Sequence, residues 1–129
     1  MTHDDFEFLV HFRFEKCKET LLKKAREYAT EDERLANFKR GASLLNTSSA
    51  KIAMGYGLKH LISVIDMVEG RLPATEEMFD EKFGDALNYL VLLEACLKDQ
   101  QNEISIKSGS VNKKVYSYIQ DHLKNVKNL

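Results

Sequence analysis

The sequence predicts an all-α fold, an antiparallel bundle of about four helices followed by a tethered C-terminal amphipathic helix, and three observations carry that expectation. Helix breakers are scarce, with one proline and six glycines in 129 residues, so long windows run uninterrupted. Apolar residues recur at three- and four-residue steps within those windows. Between them stand polar clusters with the chemistry of helix caps and stops.

The first helix is expected from about Asp4 to Ala29, with Phe6, Val10, Phe14, Cys17, Leu21, Ala25 and Tyr28 down one face and Asp4 and Asp5 at its positive end. Phe6, Phe8, Val10, Phe12 and Phe14 also alternate as in a strand. Continuation of the helical stripe into "CKETLLKKAREYA" favours the helix. A second helix, Asp32 to Leu45, would bury Leu35, Phe38, Ala42 and Leu45. Asn46 to Ser49 supply caps for a third, Ser49 to Glu69, which Gly70 closes and Pro73 keeps from resuming. Its buried side would be Leu58, Leu61, Ile62, Ile65 and Val68. Thr75 caps a fourth helix that carries Glu76 and Glu77 in its first turn and runs to about Lys98.

Residues 1–99 therefore read as one helical core domain. The polar stretch "DQQNEISIKSGS" supplies a linker over 100–110, with a short extended piece at Ile104 and Ile106. The last helix, 111–129, places Val111, Val115, Tyr118, Ile119 and Val126 on one stripe and packs either in cis or on a second subunit.

Apolar residues at 43% and charged residues at 30% describe a folded chain with a single core. A formal net charge of −1 gives no electrostatic reason for whole-chain binding to nucleic acid. Only the last thirty residues lean basic, with Lys107, Lys113, Lys114, Lys124 and Lys127 against Glu103 and Asp121. No apolar run approaches the roughly 20 residues of a membrane span, and the acidic start "MTHDDFEF" lacks the basic flank of a secretion signal, so a cytoplasmic protein without a membrane partner is expected. Cys17 and Cys96 sit in apolar patterns without CxxC spacing and read as buried thiols. The histidines show no HExxH spacing, and no Ser or Cys nucleophile pairs with a base by sequence.

The informative residues break the apolar pattern. Lys59, Ser63 and Asp66 form a polar ribbon on helix three, and Glu81, Asp85, Asn88 and Tyr89 form another on helix four. Facing each other across a cleft, they would offer Lys59 and His60 as donors, and Asp66, Glu81 and Asp85 as acceptors or metal ligands. Solvated helix borders, or a structural Asp85–Lys59 ion pair, explain the same pattern. Asp85 stands out because its flanks "KFG" and "ALNYLVLL" read as buried, and a buried carboxylate is costly without a partner. Lys23, Lys24, Arg26, Arg34, Lys39 and Arg40 surround Tyr28 and Phe38. Cations beside aromatics can bracket a nucleobase and its phosphate, or can be an ordinary solvated surface. Gly55 and Gly57 do not complete a phosphate loop, because His60 stands where G-x-G-x-x-G needs glycine. They read as places where helix three passes close to a neighbour.

The segment "EKFGDALNYLVLLEA" resembles the second metal-binding helix of the MazG-like all-α nucleotide pyrophosphohydrolase superfamily. With "EYATEDERLANFKRGASLL" and "KHLISVIDMV" it also resembles small phage proteins related to that superfamily, over about Leu21 to Leu97. The resemblance implies a helical nucleotide-binding fold, a homo-oligomer of two or four chains, and a phage or prophage origin. Its acidic motifs are altered here. Lys82 stands where E-x-x-D would place an acid three residues before Asp85, Glu81 is one position off, and Lys59 and His60 stand where carboxylates of the first motif are expected. Bases in place of acids would hold phosphate directly, so no cofactor is expected.

The resulting expectation is a protein that binds a nucleotide or related phosphorylated small molecule, such as a phage protein sequestering a host signalling nucleotide. Its ligand-binding residues would be Lys24, Tyr28, Arg34, Asn37, Phe38, Lys59, His60, Ser63, Asp66, Asp85, Asn88 and Tyr89. One alternative is a Mg-dependent nucleoside triphosphate pyrophosphohydrolase using Asp66, Glu81 and Asp85. Another is a helical protein-interaction module.

Overall fold

The computed structural model describes residues 1–28, 33–105 and 120–125, with side chains over 1–23, 33–101 and 120–125. Among the described residues every regular element is helical: α1 (His3–Tyr28), α2 (Ala36–Leu45), α3 (Ser49–Val68), α4 (Glu76–Met78), a π-helical turn (Phe79–Phe83) and α5 (Gly84–Ser105). The fold is all-α. The chain divides into two compact units, Met1–Leu97 and Lys98–Leu129.

Local chemistry accounts for the boundaries. Thr2 and Asp5 cap α1 reciprocally: the Thr2 N–H donates to the Asp5 carboxylate at 3.0 Å, and the Asp5 N–H donates to the Thr2 hydroxyl at 3.1 Å. Residues 6–14 are helical, which disposes of the strand alternative. Helix α2 starts four residues later than Asp32, because the Glu33 carboxylate accepts from the Leu35 N–H and the Lys39 ammonium and holds a turn there. Asn46, at φ 51°, ends it. The Ser48 hydroxyl accepts from the Lys51 N–H at 3.2 Å to start α3, and Gly70, at φ 75°, closes that helix as its sequence required. Thr75 caps α4 through the Met78 N–H.

The fourth expected helix differs in two ways. A π-helical turn interrupts it at Phe79–Phe83, and α5 continues through Ser105, so Ile104 is helical and the expected linker begins no earlier than residue 106. Polar side chains at 98–103 suit an exposed helix as well as a loop, which is why composition misled here. Residues 120–125 are helical. The rest of the expected C-terminal helix, the extended piece at Ile106, Ala29 and Asp32 lie outside the described residues.

In the first unit the core consists of Leu35, Phe38, Ala50, Ala53 and Cys96, backed by Ile52, Tyr89, Leu92 and Leu93 from α3 and α5. Both thiols, Cys17 and Cys96, are buried. The expected buried side of α3 is a correction: Leu58, Leu61, Ile62, Ile65 and Val68 are all at least 40% exposed. The face that packs is instead the small-residue one, Ala50, Ala53 and Gly57, since small side chains let two helices approach closely. Phe6 and Phe14 of α1 are likewise exposed. No described helix is long and apolar enough to cross a membrane.

Candidate functional site

Gly57 is the seat of the site. A Cβ built on it would lie 3.0 Å from the Tyr89 Cβ, so the absent side chain is what lets α5 settle against α3. Gly55 has open space around it and plays no such part. With Tyr89 seated over Gly57, its ring stacks on both flanking residues of α3. The Tyr56 ring lies 6.1 Å away and the His60 ring 5.2 Å away, each at 14° between planes. Tyr56 in turn meets Phe38 of α2 at 6.3 Å. The result is a ladder of four rings, Phe38, Tyr56, Tyr89 and His60, built from residues one helical turn apart on α3 and one inserted residue from α5.

At its inner end the ladder reaches Asp85, whose carboxylate lies 3.6 Å from the His60 Nδ1. Asp85 thus answers to His60, not to Lys59, which forms no ion pair among the described residues. Burial first, then the Asp85 carboxylate and Tyr56, push the Tyr89 phenol above its ordinary value.

At its outer end the ladder forms the wall of a cleft of about 560 Å³, lined by Arg34, Asn37, Phe38, Arg40, Tyr56, Tyr89 and Leu92 among others. Four of the expected ligand-binding residues, Arg34, Asn37, Phe38 and Tyr89, are brought together here. Arg40 and Tyr56 complete the set. Tyr56 escaped the sequence reading because "GYG" drew attention to its glycines; its position four residues before His60 was the available signal. Neither Arg34 nor Arg40 is ion-paired within the described residues, whereas nearby Lys39 is held by Glu33 at 2.8 Å. Lys24 and Tyr28 lie outside the described side chains.

The two polar ribbons approach only at one end, where His60 lies beside Asp85 and Lys59 is near enough to Glu81 to help Lys82 hold its carboxyl low; Ser63 and Asp66 take no part. The Ser63 hydroxyl donates to the Lys59 carbonyl of its own helix. Asp66 accepts from the Arg71 guanidinium at 2.9 Å, and Arg71 also pairs with Glu69. A residue on the last turn of α3 finds a partner in the loop that follows it, and that local contact takes Asp66 out of the expected set. Glu81 and Asp85 do share a cleft, of about 420 Å³, but its other wall is α1, through Arg13, Lys16, Cys17 and Thr20. Glu81 and Asp85, four residues apart, face the same space as i, i+4 neighbours on a helix do. In that cleft Arg13 pairs with Asp80 at 3.0 Å, and the Lys82 ammonium donates to Glu81 at 2.9 Å, which holds Glu81 below its ordinary carboxylate range. Asn88 lines it and is buried. The Cys17 thiol approaches the Gly84 carbonyl at 3.8 Å and is pushed up by burial.

These acids do not fit a magnesium shell. Two are already bonded to cations, Asp66 lies at the end of α3, and among the described residues no three His, Cys, Asp or Glu side chains are grouped to hold a metal.

No protein-family model matches the chain, and no curated protein or solved structure matches it. What fold and site define is a class: an all-helical protein with an arginine-edged aromatic cleft.

Proposed function

We propose that the chain binds a nucleotide or nucleotide-derived phosphorylated molecule, on an antiparallel helical bundle of MazG-like character with a tethered C-terminal helix. The observation that carries this reading is the meeting in one cleft of two guanidinium groups, Arg34 and Arg40, with an aromatic wall in which exposed Tyr56 stacks on Tyr89 and meets Phe38 at a tilt. Arginine forks match phosphate oxygens bidentately, and an aromatic edge accepts a base by stacking. A cleft of about 560 Å³ falls within the usual range for small-molecule sites. Asn37 supplies an amide for the edge of the base.

The reading includes assembly. The exposed row Leu58, Leu61, Ile62 and Ile65 on α3 is the kind of contiguous apolar surface that a second copy covers. A phage protein that sequesters a signalling nucleotide is one setting for such a binder.

Thermal unfolding with AMP, ADP, ATP and cyclic mono- and dinucleotides tests the reading. A ligand at 100 times its Kd raises stability by about 2.7 kcal/mol. A saturable rise with at least one nucleotide is expected, lost in the double variant Arg34→Ala/Arg40→Ala. No rise with any of them would refute the proposal.

A further inference from the structure

We propose a second ligand site, for an aliphatic ammonium ion, in the cleft between α1 and the start of α5, separate from the arginine-edged cleft. Two buried atoms flank Asp85 and have no hydrogen-bond partner: the Oδ1 of Asn88 and the Nδ1 of His60. Asn88 is only 7% exposed and lines the cleft. A buried acceptor left unpaired is destabilising, and Asp85 is 3.6 Å from His60, too far for a hydrogen bond. The Asn88 Oδ1 is therefore an acceptor in want of an N–H donor.

Charge points the same way. The cleft holds four carboxylates, Glu77, Asp80, Glu81 and Asp85, against Arg13 and Lys16. Arg13 is committed to Asp80 and Glu81 to Lys82, so the Asp85 carboxylate, beside the orphaned amide, has only the His60 ring at 3.6 Å as a counter-group. An ammonium group brings three donors and one positive charge, enough for the Asp85 carboxylate and the Asn88 Oδ1 together. The cleft volume of about 420 Å³ admits a short aliphatic chain behind it.

Isothermal titration of the full chain with putrescine and with spermidine, at constant ionic strength, decides the matter. Saturable binding at one site per chain is expected, with affinity at least tenfold weaker in Asn88→Leu and in Asp85→Asn. Asn88→Leu should melt no lower than the parent, because an apolar group of similar shape relieves an unpartnered acceptor; a purely structural Asn88 would show the opposite. Absence of saturable heat, an equal response to MgCl2 or NaCl alone, or parent-like affinity in both variants would overturn the proposal. Nucleotide binding at the other cleft is read separately and stands or falls without it.

Discussion

Tyr89 lies flat against His60, ring centroids 5.2 Å apart and planes 14° apart, and this contact links the arginine-edged cleft, which Tyr89 lines, to the Asp85 carboxylate beside His60. On one side of the pair stands Asp85, and on the other Tyr56 and Phe38. The stack depends on a backbone feature, the missing side chain at Gly57. Sequence, packing and site are linked at this one crossing of α3 and α5.

Alkaline pH should loosen the crossing. The Tyr89 phenol is raised above 10.0, chiefly by burial. A group whose folded value exceeds its unfolded one contributes stability that is full below the unfolded value and is lost as pH rises through the folded one. Melting temperature should therefore fall above about pH 10, and fall less steeply in Tyr89→Phe, which has no phenol to ionise. Melts of both proteins from about pH 9 to about pH 11 check this. Parallel curves would mean that Tyr89 ionisation does not destabilise the fold.

Nucleotide affinity should follow the arginines of the aromatic cleft and ignore the lysine that sequence reasoning put beside Asp85. Arg40→Ala removes a guanidinium that lines the cleft, and a tenfold or greater loss is expected, the scale of one charge-assisted hydrogen bond of about 1.5–3 kcal/mol. Lys59 does not line that cleft, so Lys59→Ala should leave affinity within about twofold. Calorimetry on the two variants distinguishes the clefts, and a larger loss for Lys59→Ala would move the site.

Much of this was legible beforehand, and the failures have physical causes. Helix type and most boundaries followed from caps and breakers such as Ser48, Gly70 and Thr75, because those act through hydrogen bonds within three residues. The meeting of Arg34, Asn37 and Phe38 also followed from pattern, whereas Asp85, read as a buried carboxylate, is 31% exposed and its neighbours Phe83, Leu90 and Val91 are exposed as well. That α3 supplies Asp85's partner was expected too, though through His60 and not Lys59; that α1 also walls its cleft was not. Periodicity fixes a face relative to its own axis and says nothing about the rotation of one helix against another, so Arg13 and Asp80 on their shared cleft went unforeseen. The π turn at Phe79–Phe83 carries no breaker residue and left no mark in the sequence. The α3 side expected to be buried is exposed because hydrophobicity ranks Leu and Ile above Ala and Gly, whereas close helix packing favours the small ones.

The exposed α3 row should set the oligomeric state. Leu61 and Ile65 lie one turn apart, 40% and 51% exposed. Charges there cost little in an isolated chain and much in an apolar interface. Light scattering of the parent should give a mass of two or more chains, and Leu61→Lys/Ile65→Lys should give the mass of one, with helicity by circular dichroism unchanged. A parent of one-chain mass, or a variant that keeps the parent's mass, would dismiss this face as the assembly surface.

Two glycines separated by a single tyrosine should respond to alanine in opposite directions. At Gly55 a new Cβ meets nothing within 4 Å, so Gly55→Ala gains only helix propensity and should stabilise by about 0.5–1 kcal/mol. At Gly57 the same methyl meets the Tyr89 Cβ at 3.0 Å, an atom fixed to its own backbone and unable to swing aside. Tyr89 is also held between Tyr56 and His60, so α5 as a whole would have to shift. Overpacking of this kind costs roughly 1–3 kcal/mol, which outweighs the propensity gain of up to about 1 kcal/mol. Urea titrations of the two variants supply the comparison. If Gly57→Ala were as stable as Gly55→Ala, the close approach of the two helices, and the ring ladder seated on it, would lose their foundation.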